Sequence, residues 1–161
     1  MGKSHDLATM ASDGFTFAGA LTLSGGAYIG GTGAVNHLDQ YLEGTWTPKM
    51  GDNSTTMSTV RNASFIKIGK LVTISVDVTC PSYSGASNNF MYGLPFAGAY
   101  ASSGNGGGAV GYTVTANVVP TVHVTGNTNS LYFMKMGTGT AGEALSISGM
   151  RLIFGLTYET T

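Results

Sequence analysis

The chain has 161 residues, which is enough for one ordinary domain with an extension and too few for two large domains. Charged residues make up only 9% of it, against roughly 25% in typical soluble domains, while hydrophobic residues reach 42%. Seven basic and eight acidic side chains give a formal net charge of −1, so no basic surface exists to drive binding to nucleic acid.

Because so few residues are charged, the surface of the folded chain must consist largely of Ser, Thr, Asn, Gly and Tyr. Such surfaces are typical of extracellular and virion proteins, and of chains that bury surface against their own copies. No apolar run follows Lys3, and nowhere do about 18 apolar residues follow one another, so we expect neither a signal peptide nor membrane insertion. The single cysteine, Cys80, cannot form an internal disulfide and is interpreted as a small strand residue.

Residues 1–36 are punctuated by glycine and form the first predicted segment. Their apolar side chains recur at the even spacing of a β-strand: Phe15, Phe17, Leu21 and Leu23. Glycine pairs break the run into strands too short to bury an apolar face alone. We therefore predict a short N-terminal β stem in which three copies of the chain intertwine around a shared core. A flexible arm is the alternative.

Residues 37–48 are predicted to form a neck between this stem and the rest of the chain. Within and just before them, 36–43 is the best candidate for a short helix, since Asn36 is suited to capping its start and Gly44 to ending it. The side chains expected to pack in the neck and between the copies are Leu38, Tyr41 and the only tryptophan, Trp46.

Residues 49–161 show strand patterns throughout and are predicted to form a head. The clearest hairpin joins 58–68 to 71–79 through Gly69 and Lys70, and the second strand alternates apolar with polar residues, as a half-buried strand does. Further strands are expected at 90–94, 109–119, 122–124, 130–136, 144–147 and 152–158. Loops are expected at 81–89 and at 102–108, the second glycine-rich and mobile. This pattern predicts an all-β, antiparallel β-sandwich, most simply a jelly-roll-like one.

Three motifs resemble segments of bacteriophage tail fibre proteins. The run 38–48, Leu-Asp-Gln-Tyr-Leu-Glu-Gly-Thr-Trp-Thr-Pro, is similar to their junction between a slender stem and a receptor-binding head, although an acid is more usual at Leu42. The run 65–74 is similar to an aromatic-x-Lys-Ile-Gly-x-x-Val hairpin that follows in the same proteins, and the Gly-Leu-Pro-Phe of 93–96 to a later turn. Together the matches span roughly residues 37–100.

The resemblance implies a homotrimeric, all-β distal fibre domain that belongs to the phage virion and faces the extracellular medium. Its implied partners are its own copies, other tail proteins, and a glycan or protein on the host cell surface. Receptor binding without catalysis or a cofactor is the expected activity. A purely structural fibre or connector component is the alternative, and a polysaccharide depolymerase domain is a less favoured one.

Candidate receptor-binding side chains cluster in or near the predicted loops of the head. They combine flat aromatic rings with amide donors, which is how neutral saccharides are held: Tyr83, Asn88, Asn89, Tyr92, Tyr100 and Asn105. The alternative is that these residues serve only turn chemistry. On a trimer, three linked weak sites would raise the overall avidity without any new contact.

No catalytic or metal site is predicted. Glycoside hydrolysis needs two carboxylates held a few ångströms apart, and the one close pair in sequence, Asp39 and Glu43, is interpreted as surface charge. The histidines His5, His37 and His123 are far apart in sequence. Three copies of His37 around a trimer axis could bind a metal, but a polar neck residue is the favoured interpretation.

Overall fold

The structure, a computed structural model, describes residues 25–28, 37–38, 40–99, 106–113, 118, 120–135 and 143–160. The chain divides into two compact units, Met1–Asp39 and Gln40–Thr161, so the division falls within the predicted neck. All the regular secondary structure of the described residues is β-strand.

The strands, in chain order, are β1 (Ala27–Tyr28), β2 (His37–Leu38), β3 (Tyr41–Thr45), β4 (Lys49–Met50), β5 (Thr55–Thr56), β6 (Thr59–Ile68), β7 (Leu71–Thr79), β8 (Phe90–Tyr92), β9 (Gly107–Ala109), β10 (Tyr112–Thr113), β11 (Pro120–Val124), β12 (Ser130–Lys135), β13 (Glu143–Ala144) and β14 (Arg151–Glu159).

In the first unit, β1 and β2 form an antiparallel pair in which Ala27 lies opposite Leu38 and Tyr28 opposite His37. The apolar run of the predicted stem, residues 15–23, lies outside the described residues. The intertwined stem therefore stays a prediction.

The short helix expected over 36–43 is wrong for the described residues. They form β2 and β3 instead, and β3 pairs antiparallel with β6, from Tyr41 opposite Ile68 to Thr45 opposite Ser64. An isolated helix of two turns is marginal in water, because few of its backbone groups find partners within it. A ready strand edge on β6 supplies those partners, and tertiary pairing overrides the local capping signals.

Two antiparallel sheets make up the second unit. The five-stranded sheet has the order β10-β14-β7-β6-β3. The seven-stranded sheet has the order β5-β4-β8-β12-β11-β9, with β13 paired to β12. The predicted all-β, antiparallel fold is therefore correct, and the two sheets are consistent with a β-sandwich.

One core lies between the inner faces of the two sheets. On β7 every second residue is buried, Val72, Ile74, Val76 and Val78, as the alternating pattern predicted. From the opposite sheets, Phe133 and Phe154 meet edge to face with ring centroids 5.7 Å apart. Aromatic pairs of this kind add about 1 kcal/mol to the burial of their surface.

The predicted hairpin is confirmed: β6 and β7 pair along their length around a turn in which Gly69 has φ +56°. The orientation of β6 was not foreseen. Ile66 and Ile68 face outward, while Lys67 faces inward and is only 6% exposed. Its ammonium donates to the side-chain oxygen of Gln40 at 2.6 Å, which gives the buried charge a polar partner.

The glycine-rich stretch predicted as a mobile loop over 102–108 is partly wrong. Gly107 and Gly108 lie in β9 and pair with β11. A Cβ on Gly106 would collide with the carbonyl oxygen of Thr157, so this glycine permits a close approach to β14. Residues 102–105 lie outside the described residues.

The single strand predicted over 109–119 is also wrong in its described part. The chain leaves the seven-stranded sheet after β9 and enters the five-stranded sheet at β10. Val110 is buried at this crossing, and the backbone N–H of Gly111 donates to the carbonyl of Ile153. Alternation of apolar residues shows which face is buried but not that a strand changes sheet.

Candidate binding surface

Four aromatic side chains share the outer face of the seven-stranded sheet. They face outward because their strand neighbours, among them Met91, Leu131, Phe133 and Val122, fill the core. Successive side chains of a strand point to opposite faces, so each of these strands presents rings on its other side. The four rings form the aromatic row: Tyr92, Phe90, Tyr132 and His123.

Strand register brings the row together. Tyr132 on β12 lies directly opposite Phe90 on β8 and His123 on β11. The ring centroids of Phe90 and Tyr132 are 4.9 Å apart, and those of Tyr132 and His123 are 5.2 Å apart. Tyr92 extends the row along β8, stacked on Phe90 at 5.9 Å. All four residues are partly buried, so the rings are held in place while part of each stays open to solvent.

His123 is the titratable end of the aromatic row. Burial lowers the pKa of its imidazole below 6.5, because the charged form loses hydration there. The ring is therefore mostly neutral at pH 7 and behaves as a flat, weakly polar surface. Taken together, the row offers apolar ring surfaces, with hydroxyl groups on Tyr92 and Tyr132, a chemistry suited to stacking and hydrogen bonding.

The structure brings only one of the predicted receptor-binding residues, Tyr92, into the aromatic row. Tyr83 packs against the core with its ring over Gly51 and Gly85, where a Cβ on either glycine would collide with it. Tyr100 and Asn105 lie outside the described residues.

The predicted pair Asn88 and Asn89 lies directly before β8. Their backbone carbonyls accept hydrogen bonds from the N–H groups of Ile147 and Phe133, at 2.8 and 2.9 Å. Asn89 is itself buried. These contacts hold the segment that leads into the aromatic row, and receptor contact by either asparagine stays a prediction.

The predicted neck residues lie in both units. Leu38 belongs to β2 of the first unit. In the second unit Trp46 is buried in the core at 9% exposure, and its backbone N–H donates to the carbonyl of Ala63. Tyr41 faces outward, and its hydroxyl donates to the Glu43 carboxylate at 2.8 Å, a contact that raises the pKa of the phenol. Packing between copies by these residues stays a prediction.

A second surface of interest lies on the outer face of the five-stranded sheet. Its apolar patch consists of Tyr41, Ile66, Ile68 and Leu71, each between 45% and 57% exposed. Register places Tyr41, Ile68 and Leu71 side by side across β3, β6 and β7. Single exposed apolar side chains are ordinary, whereas a contiguous group of them makes this face a candidate contact surface.

The residues of the three sequence motifs meet in space. Gly93 has φ +90°, and a Cβ there would collide with the carbonyl oxygen of Thr47. The rings of Phe65 and Phe96 meet edge to face at 5.5 Å, and the ammonium of Lys67 lies 5.5 Å from the centroid of Phe96. These motif residues therefore connect strands and support the fold, and they do not line the aromatic row.

Each acidic residue in the described part of the chain has a partner. Glu43 accepts from Tyr41, Asp52 from Ser54 and Thr55, Asp77 from Arg151, and Glu143 pairs with Lys135; Glu159 also has a partner. Asp39, the partner proposed for Glu43, lies outside the described residues.

Within the described ranges, no three His, Cys, Asp or Glu side chains are grouped so that they could hold a metal ion. His5 and the side chain of His37 lie outside them. No helix in the described part of the chain is long and apolar enough to span a membrane.

Sequence reasoning missed three members of the aromatic row: Phe90, Tyr132 and His123. The alternation around Phe90 and Tyr92 already placed both on one face of a strand. Which strands lie beside β8 could not be deduced, because register and strand order are set by long-range pairing.

Comparisons of the chain with protein-family models, with curated proteins and with solved structures found no match.

Proposed function

We propose that this chain is the distal part of a bacteriophage tail fibre and that it binds a glycan on the host cell surface, without catalysis, through the aromatic row. The observation that carries the proposal is the row itself. Four adjacent rings lie partly exposed on a regular sheet face, with centroids 4.9 to 5.9 Å apart. Apolar rings kept at a surface rather than in the core are suited to contact with a partner.

A glycan fits this surface for two physical reasons. Sugar rings present C–H faces that pack on aromatic rings, and hydroxyl edges that exchange hydrogen bonds with groups such as the phenols of Tyr92 and Tyr132. The rings are also fixed by the sheet and by one another, so little side-chain entropy is lost when a ligand binds. A weak site of this kind becomes effective when several copies act together.

The motifs of the chain support the fibre assignment. They resemble the stem–head junction and the following hairpin and turn of tail fibre proteins, and in this chain their residues meet at Gly93, Thr47, Phe65 and Phe96. Fibre heads that bind different receptors can share one scaffold when the binding face is separate from the residues that support the fold.

The proposal includes a homotrimer with a jelly-roll-like head. The apolar patch supports self-association, because Ile66 and Ile68 are directed to solvent while Lys67 is directed inward. An outward apolar face of this kind is stabilised when another surface covers it. Three heads on one axis would direct three aromatic rows to one cell surface.

A purely structural role in the virion is the second candidate, and the apolar patch favours it. A connector needs contact surfaces for its own copies or for other tail proteins and no receptor site. The two candidates differ in the aromatic row, since a connector has no need for partly exposed rings that bind a glycan.

Whole-cell adsorption of the full chain tests the proposal. Replacing both Tyr92 and Tyr132 with serine removes two stacking contacts of about 1 kcal/mol each, so adsorption should weaken about thirtyfold. Tyr112→Ser, on the outer face of the other sheet, is the matched control and should adsorb normally. Normal adsorption by the correctly folded double variant would contradict the proposal and favour the connector. Release of reducing ends from host polysaccharide would indicate a depolymerase.

A further inference from the structure

We infer that the aromatic row selects an acidic saccharide, whose carboxylate is bound by Lys49 at the Tyr92 end of the row. This inference rests on the proposed function and adds the chemical class of the ligand. It is carried by the position of Lys49, by its lack of an acidic partner, and by the charges around it.

Lys49 lies on the same sheet face as the row. It belongs to β4, whose next residue, Met50, is fully buried in the core, so Lys49 is directed to the outer face. Its Cα lies directly opposite Tyr92 on β8 and opposite Thr56 on β5. The lysine is therefore the neighbour that follows Tyr92 across the sheet.

The ammonium of Lys49, like those of Lys67 and Lys70, has no ion-pair partner among the described residues, whereas three other cations of this unit have one. Arg151 and Arg61 both approach Asp77, at 2.8 and 3.7 Å, and Lys135 pairs with Glu143 at 2.7 Å. An ammonium on a partly buried residue beside a binding surface gains a charge-assisted hydrogen bond when a ligand brings a carboxylate to it.

The nearest acidic residue along the chain does not neutralise Lys49. Asp52 is turned to its own loop, where its carboxylate accepts from the backbone N–H groups of Ser54 and Thr55 and from the Ser54 hydroxyl. These bonds keep Asp52 ionised and hold it in an Asx turn. The negative charge of Asp52 lowers the local electrostatic potential, but its carboxylate forms no ion pair with the ammonium of Lys49.

The charge count favours one carboxylate over a phosphate. Lys49 is a single cation, and at the opposite end of the row His123 is neutral at pH 7 because burial lowers its pKa. Lys135, the last residue of β12, is already paired with Glu143. Phosphate sites usually combine several donors or cations, whereas one ammonium matches the single charge of a uronic or sialic type of sugar.

Binding of the full chain to paired oligosaccharides tests the inference. The probes are bacterial capsular oligosaccharides that carry uronic or sialic carboxylates, each measured beside its carboxyl-reduced, neutral counterpart. A phosphorylated oligosaccharide forms a third arm. The variants are Lys49→Met and, as a control with the same change in net charge, Lys70→Met on the turn between β6 and β7 of the other sheet.

We expect the native chain to bind at least one acidic probe about fivefold more tightly than its neutral counterpart, and we expect Lys49→Met to abolish this preference. Lys70→Met should keep it, and Lys49→Arg should restore most of it. Equal binding of both members of every pair, or preference for the phosphorylated arm, would overturn the inference while leaving the row a glycan site. If the Tyr92 and Tyr132 double variant bound the probes as tightly as the native chain, the proposed function itself would be overturned.

Discussion

Tyr132 lies directly opposite Phe90 in the seven-stranded sheet, and their ring centroids are 4.9 Å apart with the ring planes at 65°. The pair connects two neighbouring strands on the outer face of the sheet, the face directed away from the core. Cross-strand aromatic pairs of this kind contribute up to about 1 kcal/mol to a sheet. The same two rings are thus part of the framework and the centre of the proposed binding surface.

Gly93→Ala should destabilise the second unit strongly. Gly93 has φ +90°, and its added Cβ would meet the carbonyl oxygen of Thr47, so we expect a loss of about 3 kcal/mol in the free energy of unfolding. Gly149→Ala is the matched control, since Gly149 also has positive φ but no atom near its Cβ position. It should cost only about 1 kcal/mol. Equal losses in urea unfolding would show that the Thr47 contact is unimportant.

Lys67→Met should leave stability unchanged or raise it slightly. The methionine keeps the packing of the long side chain beside Phe96 and removes a charge that is costly to bury, while the exposed Gln40 can turn to water. Lys67→Ala should instead cost about 2 kcal/mol, because it leaves space in the inner face. Thermal unfolding of both variants checks this pair. A large loss in Lys67→Met would mean that the hydrogen bond to Gln40 is itself essential.

Acidification should reduce stability through His123. Its folded-state pKa lies below the unfolded value of 6.5, so the unfolded chain binds more protons in the interval between the two values. Stability is therefore fully present above pH 6.5 and falls as the pH decreases through 6.5 toward the folded-state pKa. His123→Gln should flatten this part of the profile of unfolding midpoint against pH. An unchanged profile in the variant would assign the effect to other groups.

Ile68→Ser combined with Leu71→Ser should weaken self-association without unfolding the second unit. Both side chains are about half exposed, so their replacement costs the free chain little while it removes apolar area from any contact between copies. Light scattering gives the mass, with Thr73→Ala on the same face as the control. A trimer as stable as that of the native chain would show that the apolar patch is not a contact between copies. A native chain that is monomeric would contradict the trimer itself.

Much of the fold could be predicted from local pattern. The β6–β7 hairpin followed from alternation on both sides of Gly69 and Lys70, and β14 from the alternation of Leu152, Phe154 and Leu156. Both signals are local, because one face of each strand is buried. Residues 41–43 were misread as part of a helix because their strand partner, β6, lies more than twenty residues away, and no local sequence pattern indicates this pairing.

The candidate site was harder to predict than the fold. Tyr92 was identified because ring and amide residues cluster in the sequence near it. Two other members of the aromatic row, Tyr132 on β12 and His123 on β11, are about thirty to forty residues away and meet it only through strand order. Lys49 was missed for the same reason, since its place beside Tyr92 depends on the pairing of β4 with β8.

Aromatic side-chain NMR of the full chain, titrated with polysaccharide from a susceptible host, tests the central claim most directly. Binding through the aromatic row should shift the ring signals of Phe90, Tyr92, Tyr132 and His123 together, with one affinity, while those of Tyr112 on the other sheet stay in place. Shifts confined to rings outside the row, with these four unmoved, would contradict the account.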